Sequence, residues 1–212
     1  MLNIPEYKEY GGETKIALMD NSSLAFMHEL SQRSYPSDGI LSVYDLILIP
    51  KWVMEEIEDS TYRSTYVEQL QAQGYPIRWI DETKYGAFVN DEDVNLYYIV
   101  EAAVSRVSEL MRFLRRKVKT EDLIDLPSAE EWMNRLYDEW PIHGRTLSTG
   151  RTLKKNAGEI SLTILAEIFA WYHDGVDSLT IYTQDTDAHK FQTNAERILS
   201  LIHISEPTRP RL

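Results

Sequence analysis

Four short apolar runs, each set beside a turn residue and a helix-compatible stretch, constrain this chain of 212 residues more than any other feature. Ile16–Met19 ends on Asp20, Leu46–Ile49 meets Pro50, Ile77–Ile80 follows Gly74 and Pro76, and Leu179–Tyr182 gives way to Thr183. Runs this short suit strands covered on both faces, and the helical stretches between them supply the crossovers that parallel strands require. The expected fold class is therefore α/β, a central parallel sheet flanked by helices. Ser22 or Ser23 caps a helix carrying Leu24, Met27 and Leu30. Pro50 opens one whose inner side holds Trp52, Val53, Glu56 and Ile57, and a third runs from about Tyr62 to Gln73. The stretch "NAGEISLTILAEIFAWYH" is apolar nearly all round, which marks a buried helix.

Residues 81–152 break this rhythm. Leu96, Val100, Ala103, Val107, Leu110 and Leu114 form the stripe of one long amphipathic helix with Asp91, Glu92 and Asp93 at its positive end, and Ser128 caps another. The segment reads as a helical insertion in a single domain spanning residues 1–198, with a stripe that can pack on the sheet or on a second copy of the chain. The last stretch, "LSLIHISEPTRPRL" from Leu199, resembles the in-frame translation of a sequencing-library adapter. Residues 199–212 are accordingly expected to add nothing to the core.

The absence of cysteine excludes disulfides and thiolate metal sites. With no basic-then-apolar leader and no apolar run of spanning length, the sequence reads as a cytoplasmic protein without a membrane partner. A net charge of −12 opposes nucleic-acid binding unless bases are concentrated or bound cations offset the acids. Concentration is visible in two acid-free windows. Leu110–Thr120 holds Arg112, Arg115, Arg116, Lys117 and Lys119, and Trp140–Gly158 holds Arg145, Arg151, Lys154 and Lys155. The first also suits a helix C-terminus; the second leads straight to Glu159 and is the better candidate for phosphate.

Acids occupy equivalent places around the expected sheet. Asp20 ends the first strand, Glu56 lies on the inner side of the helix after the second, Glu159 opens the buried helix, and Asp185 with Asp187 follows the last strand. Singly, each is also a good cap or turn residue. Together they belong at the carboxyl ends of parallel strands, where such sheets place ligands. Carboxylates gathered there repel one another unless a cation joins them, and an all-oxygen set points to Mg²⁺ or Mn²⁺. Glu55, Glu58 and Asp59 read as a solvated helix face, while His28, His173 and His189 lack paired spacing and read as ordinary surface or edge residues.

The segments "ALMDNSSL", Pro50-x-x-Val53-x-x-Glu56-Ile57, "AGEISL" and "YTQDTD" resemble, in order, the acidic motifs of the PIN domain, the nuclease fold of many bacterial toxin ribonucleases. The resemblance covers residues 15–57 and 156–191 and leaves out the insertion. It implies that Asp20, Glu56, Glu159 and Asp185 are catalytic and hold one or two Mg²⁺ or Mn²⁺ ions, with Asp187 as an additional ligand and the Thr183 hydroxyl orienting Asp185. It further implies a metal-dependent endoribonuclease, an RNA substrate and, as in toxin–antitoxin pairs, an inhibitory protein partner. The alternatives are a PIN-like module that binds RNA or protein without cutting, and an unrelated α/β phosphotransfer domain that gathers aspartates around Mg²⁺.

Overall fold

The computed structural model describes residues 3–33, 38–89, 93–117, 128–147 and 149–205, with the backbone alone for 38, 93–95, 117 and 201–205. Strand β1 (Lys15–Met19) leads into helix α1 (Asn21–Gln32), β2 (Leu46–Pro50) into α2 (Lys51–Glu58) and α3 (Thr61–Ala72), and β3 (Ile77–Ile80) into a 3₁₀ helix (Glu82–Phe88). Helices α4 (Asp93–Val104), α5 (Ser108–Lys117) and α6 (Ala129–Asp138) follow. A hairpin of β4 (His143–Thr146) and β5 (Thr152–Lys154) then precedes α7 (Ala157–Tyr172), β6 (Ser178–Tyr182) and α8 (Thr186–Ser205).

The fold is α/β, as its apolar runs require. Strands β1, β2, β3 and β6 form one parallel sheet in the order β3-β2-β1-β6, each within one residue of its expected bounds. β1 is central, with Ile16 facing Leu46 on one side and Leu179 on the other, and Ile16, Ala17, Leu18 and Met19 are 0% exposed. Helices cover both faces, so an unbroken apolar run is the stable choice there. The N-terminal segment lies along β3, where the Tyr7 amide donates to the Trp79 carbonyl (2.7 Å) and the Trp79 amide to the Pro5 carbonyl (3.0 Å). No helix among the described residues is long and apolar enough to cross a membrane.

Three expectations need correction. The long helix is two, α4 and α5, broken at Ser105–Val107. There the Ser105 hydroxyl donates to the Ala102 carbonyl (2.6 Å) and accepts from the Asn194 amide of α8 (2.5 Å). Both halves of the stripe are nonetheless buried within the chain, at Leu96, Val100 and Ala103 and again at Leu110 and Leu114, because the break re-aims the second helix. The expected cap at Asp91 and Glu92 lies outside the described residues. Second, the 81–152 segment is not wholly helical, since it ends in the antiparallel β4–β5 hairpin, with His143 opposite Lys154 and Thr146 opposite Thr152. Third, the boundary expected at Leu199 falls inside α8. Leu199 is only 4% exposed and belongs to the core, while residues 206–212 lie outside the described residues.

A buried acid with no sequence signal ties three elements together. Glu82 is 0% exposed, and its Oε1 accepts from the Trp52 amide (2.9 Å) and the Ser161 hydroxyl (2.7 Å). It thereby supplies the side-chain cap that Pro50 cannot give α2 and joins that helix to α7. The Tyr85 hydroxyl shares Ser161 (2.8 Å). Burial raises the Glu82 carboxyl from its ordinary value to about 8, so it is largely the neutral acid at pH 7.

Because the folded-state value is raised, the stabilisation from neutral Glu82 is full below the unfolded carboxyl value and is lost as pH rises toward about 8. Glu82→Gln keeps the Oε1 acceptor and removes the titration. Chemical denaturation between pH 5 and 8 should therefore show a shallower fall for the variant, the difference approaching about 1.4 kcal/mol per pH unit at most. Parallel profiles would place the proton elsewhere. The buried position of Leu199 generates a second expectation: Leu199→Ala should cost about 2–3 kcal/mol in the same assay, where a foreign tail without packing would leave stability unchanged.

Candidate functional site

At the carboxyl edge of the sheet, between β1 and β6, the chain order reverses and leaves a crevice. Asp20 sits there as the cap of α1. Its Oδ1 accepts from the Asn21 amide (2.7 Å), and its Oδ2 accepts from the Ser22 hydroxyl (2.5 Å) and the Thr183 hydroxyl (3.0 Å). The Asp20 amide also continues the β1–β6 ladder by donating to the Tyr182 carbonyl (3.0 Å), and Ser23 donates to the Asp20 and Tyr182 carbonyls, each at 2.8 Å. The carboxylate is thus fixed by two elements far apart in sequence.

Thr183 meets Asp185, as the resemblance implies, and Asp20 as well. Its hydroxyl donates to Asp20 and accepts from the Asp185 amide (3.0 Å), so it orients the Asp20 carboxylate and only the backbone of Asp185. The Asp185 Oδ1 accepts from the Asp187 amide (2.8 Å), the local turn that opens α8. Asp187 itself is exposed and paired with Lys190 (2.6 Å), which holds its carboxyl below the usual range.

Glu56 and Glu159 complete the group through close helix packing. Asn156 adopts a left-handed conformation (φ 61°), tolerable for Asn, and turns the chain from β5 into α7. Two residues on, a Cβ at Gly158 would stand 3.3 Å from Val53 Cγ2 and 3.7 Å from Glu56 Oε1. Glycine therefore lets the first turn of α7 approach α2 beside Glu56. Glu56 is positioned by Asn21, whose side-chain amide donates to Glu56 Oε2 (3.1 Å) while its carbonyl accepts from Arg63. Asn21 and Arg63 carried no signal beyond a polar residue at a helix start and a base on α3.

The electrostatics follow the geometry. Burial, then the charge of Asp20, raises the Glu56 carboxyl, against the opposing pull of Asn21, Arg145 and Arg63. Burial raises Glu159 to about 7, and the charges of Asp20, Glu56 and Asp185 all add to the rise. Glu159 thus lies within the field of Asp20, Glu56 and Asp185, and Glu56 within that of Asp20, while Asp187 is not among the charges that shift either. Among the described residues, no three acids or imidazoles are drawn close enough to form a ready coordination cage. The donor set nonetheless suits a hard divalent ion in its chemistry: carboxylate oxygens whose mutual repulsion such an ion would relieve.

The second basic window forms the β4–β5 hairpin, and its four bases divide. Arg151 pairs with Glu55 of α2 (2.5 Å), which also accepts from the Tyr137 hydroxyl. Lys154 donates to the Asp138 carbonyl (3.2 Å) and lies 5.3 Å from the centre of the Tyr137 ring. These two fasten the hairpin to α2 and α6, and Glu55 is part of that clasp rather than a solvated helix face. Arg145 and Lys155 are exposed, and their charge is felt at Glu56 and Asp187 respectively. In the first window, Arg115 pairs with Glu101 of α4 (3.0 Å), and Arg112 and Arg116 donate to the Ser108 and Arg112 carbonyls (3.2 Å each). The Lys117 side chain and Lys119 lie outside the described residues.

Set against family models, curated proteins and solved structures, the chain matches none.

Proposed function

We propose that this chain is a divalent-metal-dependent phosphodiesterase of the PIN-domain kind that cuts RNA endonucleolytically. The observation that carries the reading is the setting of Glu159, raised to about 7 by burial and by three other carboxylates that reach it from the cap of α1, from α2 and from the turn after β6. Like charges assembled at the ligand-binding edge of a parallel sheet destabilise the protein alone and favour it bound to a cation. Asp20, Glu56, Glu159 and Asp185 would hold Mg²⁺ or Mn²⁺, with Asp187 as an outer acid. Bound there, such an ion acidifies water and offsets phosphate charge.

The chain's own groups prepare the site. Ser22 and Thr183 fix the Asp20 carboxylate, and Asn21 fixes Glu56, which limits the reorganisation needed to bind the ion. Arg145 and Lys155 are the bases of the hairpin placed to meet the substrate backbone, while Arg151 and Lys154 hold the hairpin in position. An inhibitory protein partner remains part of this reading through the likeness to toxin ribonucleases.

Asp20→Asn and Glu159→Gln should each abolish Mg²⁺-dependent cleavage of labelled single-stranded RNA and remove most of the Mg²⁺-induced rise in thermal midpoint. In EDTA they should part. Asp20→Asn loses an oxygen that accepts two hydroxyls and should lower the midpoint, whereas Glu159→Gln relieves repulsion and should raise it. The raised folded-state value of Glu159 means that the wild type loses stability as pH climbs through about 7, so this gain should be larger at pH 8 than at pH 6. Glu58→Gln, on the exposed side of α2, is the control. Cleavage at the wild-type rate by either site variant would end the reading; Mg²⁺ stabilisation with intact RNA would convert it to a binding module.

For the phosphate contacts, Arg145→Ala with Lys155→Ala should weaken binding of single-stranded RNA and flatten its log–log salt dependence by about 1 to 1.5, the release expected for two backbone contacts. An unchanged slope would take the hairpin out of the binding surface.

A further inference from the structure

Beside the acids lies an open cavity of about 500 Å³, large enough for a nucleotide, lined among others by Ser22, Phe26, His28, Arg33, Tyr62 and Gln184. Two aromatic rings in it are unusually exposed, Phe26 at 43% and Tyr62 at 52%. An isolated exposed aromatic is ordinary, but a pair lining one cavity is not. Tyr62 is also held in place. The His28 ring lies against it tilted by 36°, with ring centres 5.2 Å apart, and the Arg63 guanidinium lies 5.5 Å from its centre.

The lining of the cavity is linked to the acidic site by two chains of contacts. On one side, Ser22 lines it while donating to Asp20 and accepting from the Gln184 amide (3.0 Å). On the other, Tyr62 meets Arg63, Arg63 donates to Asn21, and Asn21 donates to Glu56 (3.1 Å). An aromatic platform with cationic groups beside it, one bond network away from a phosphodiesterase site, has the chemistry of a base-stacking subsite for a single strand. Duplex bases already stacked on one another could not use it.

We infer that Phe26 and Tyr62 form a stacking subsite for an unpaired nucleobase next to the scissile phosphate, so that the substrate is single-stranded and is gripped by a base as well as by its backbone. This rests on the phosphodiesterase reading above. The subsite selects strandedness and not sequence, because every base has a stacking face.

The test compares binding of a fluorescent oligouridine and an equally long abasic phosphodiester chain, with Ca²⁺ in place of Mg²⁺ and over a range of salt. The wild type should prefer the base-bearing chain by about 5- to 100-fold, the span expected for one stacked base. Phe26→Ala with Tyr62→Ala should erase that preference and leave the salt slope unchanged, since neither ring meets phosphate. Phe26→Trp in the Tyr62→Ala background should restore part of it, separating stacking from a general loss of structure. Equal wild-type affinity for the two chains, or a preference that survives the double substitution, overturns the subsite while leaving the nuclease reading in place. Failure to bind either chain overturns both.

Discussion

Parallel pairing of β1 on both its edges is the constraint on which the rest of the molecule depends. The connection from β1 runs through α1 to β2 on one side, while β6 on the other side arrives separately from α7, so no connection between these neighbours covers the space above their carboxyl ends. The residue that follows β1 is therefore at the floor of a crevice whatever its identity. In this chain it is an aspartate, and the helices that must cover the sheet bring glutamates from α2 and α7 to the same place.

Local capping and the acid cluster use the same atoms. Asp20 caps α1 and Asp185 turns the chain into α8, both satisfied by short-range donors. A turn and a candidate site are not rival explanations of these residues, because the cap fixes the Asp20 carboxylate at the floor of the crevice. A displaced protonation equilibrium is a poorer guide. Glu82 and Glu167 are raised to about 8 and about 7 by burial inside the body of the protein, where their partners are Trp52, Ser161, Trp171 and Gln192. What separates Glu159 from them is the number of carboxylates that add to burial, three against Asp81 for Glu82 and Glu196 for Glu167.

The sheet was legible because its strands are unbroken apolar runs between turn residues, a pattern that only two-sided burial favours. The four acids were legible from their places at strand ends and helix starts. Other features were not. The division between α4 and α5 depends on Ser105 meeting Asn194, residues 89 positions apart, and no periodicity reports such a contact. The β4–β5 hairpin is short and mostly polar, held by Arg151 and Lys154 to groups on other elements, so its sequence looks like a basic loop. Glu82 sits among charged and polar neighbours that suggest a surface, and its burial is decided by the helix end it caps. Asn21 gives no sign of its role in the sequence, because its partners, Glu56 and Arg63, come from other helices.

The bond from Thr183 to Asp20 joins residues 163 positions apart. Contacts this distant in sequence are late events, since the entropy of closing the intervening chain must be met before they form. Synthesis from the N-terminus adds a stricter order: the first strand and Asp20 leave the ribosome long before β6 exists to fix them. An emerging chain can build β1, β2 and β3 with their helices, but the hydroxyl that locks the Asp20 carboxylate arrives only 163 residues later. Were the chain to cut RNA as proposed, the connectivity of the sheet would delay completion of the site until β6 and Thr183 had been made.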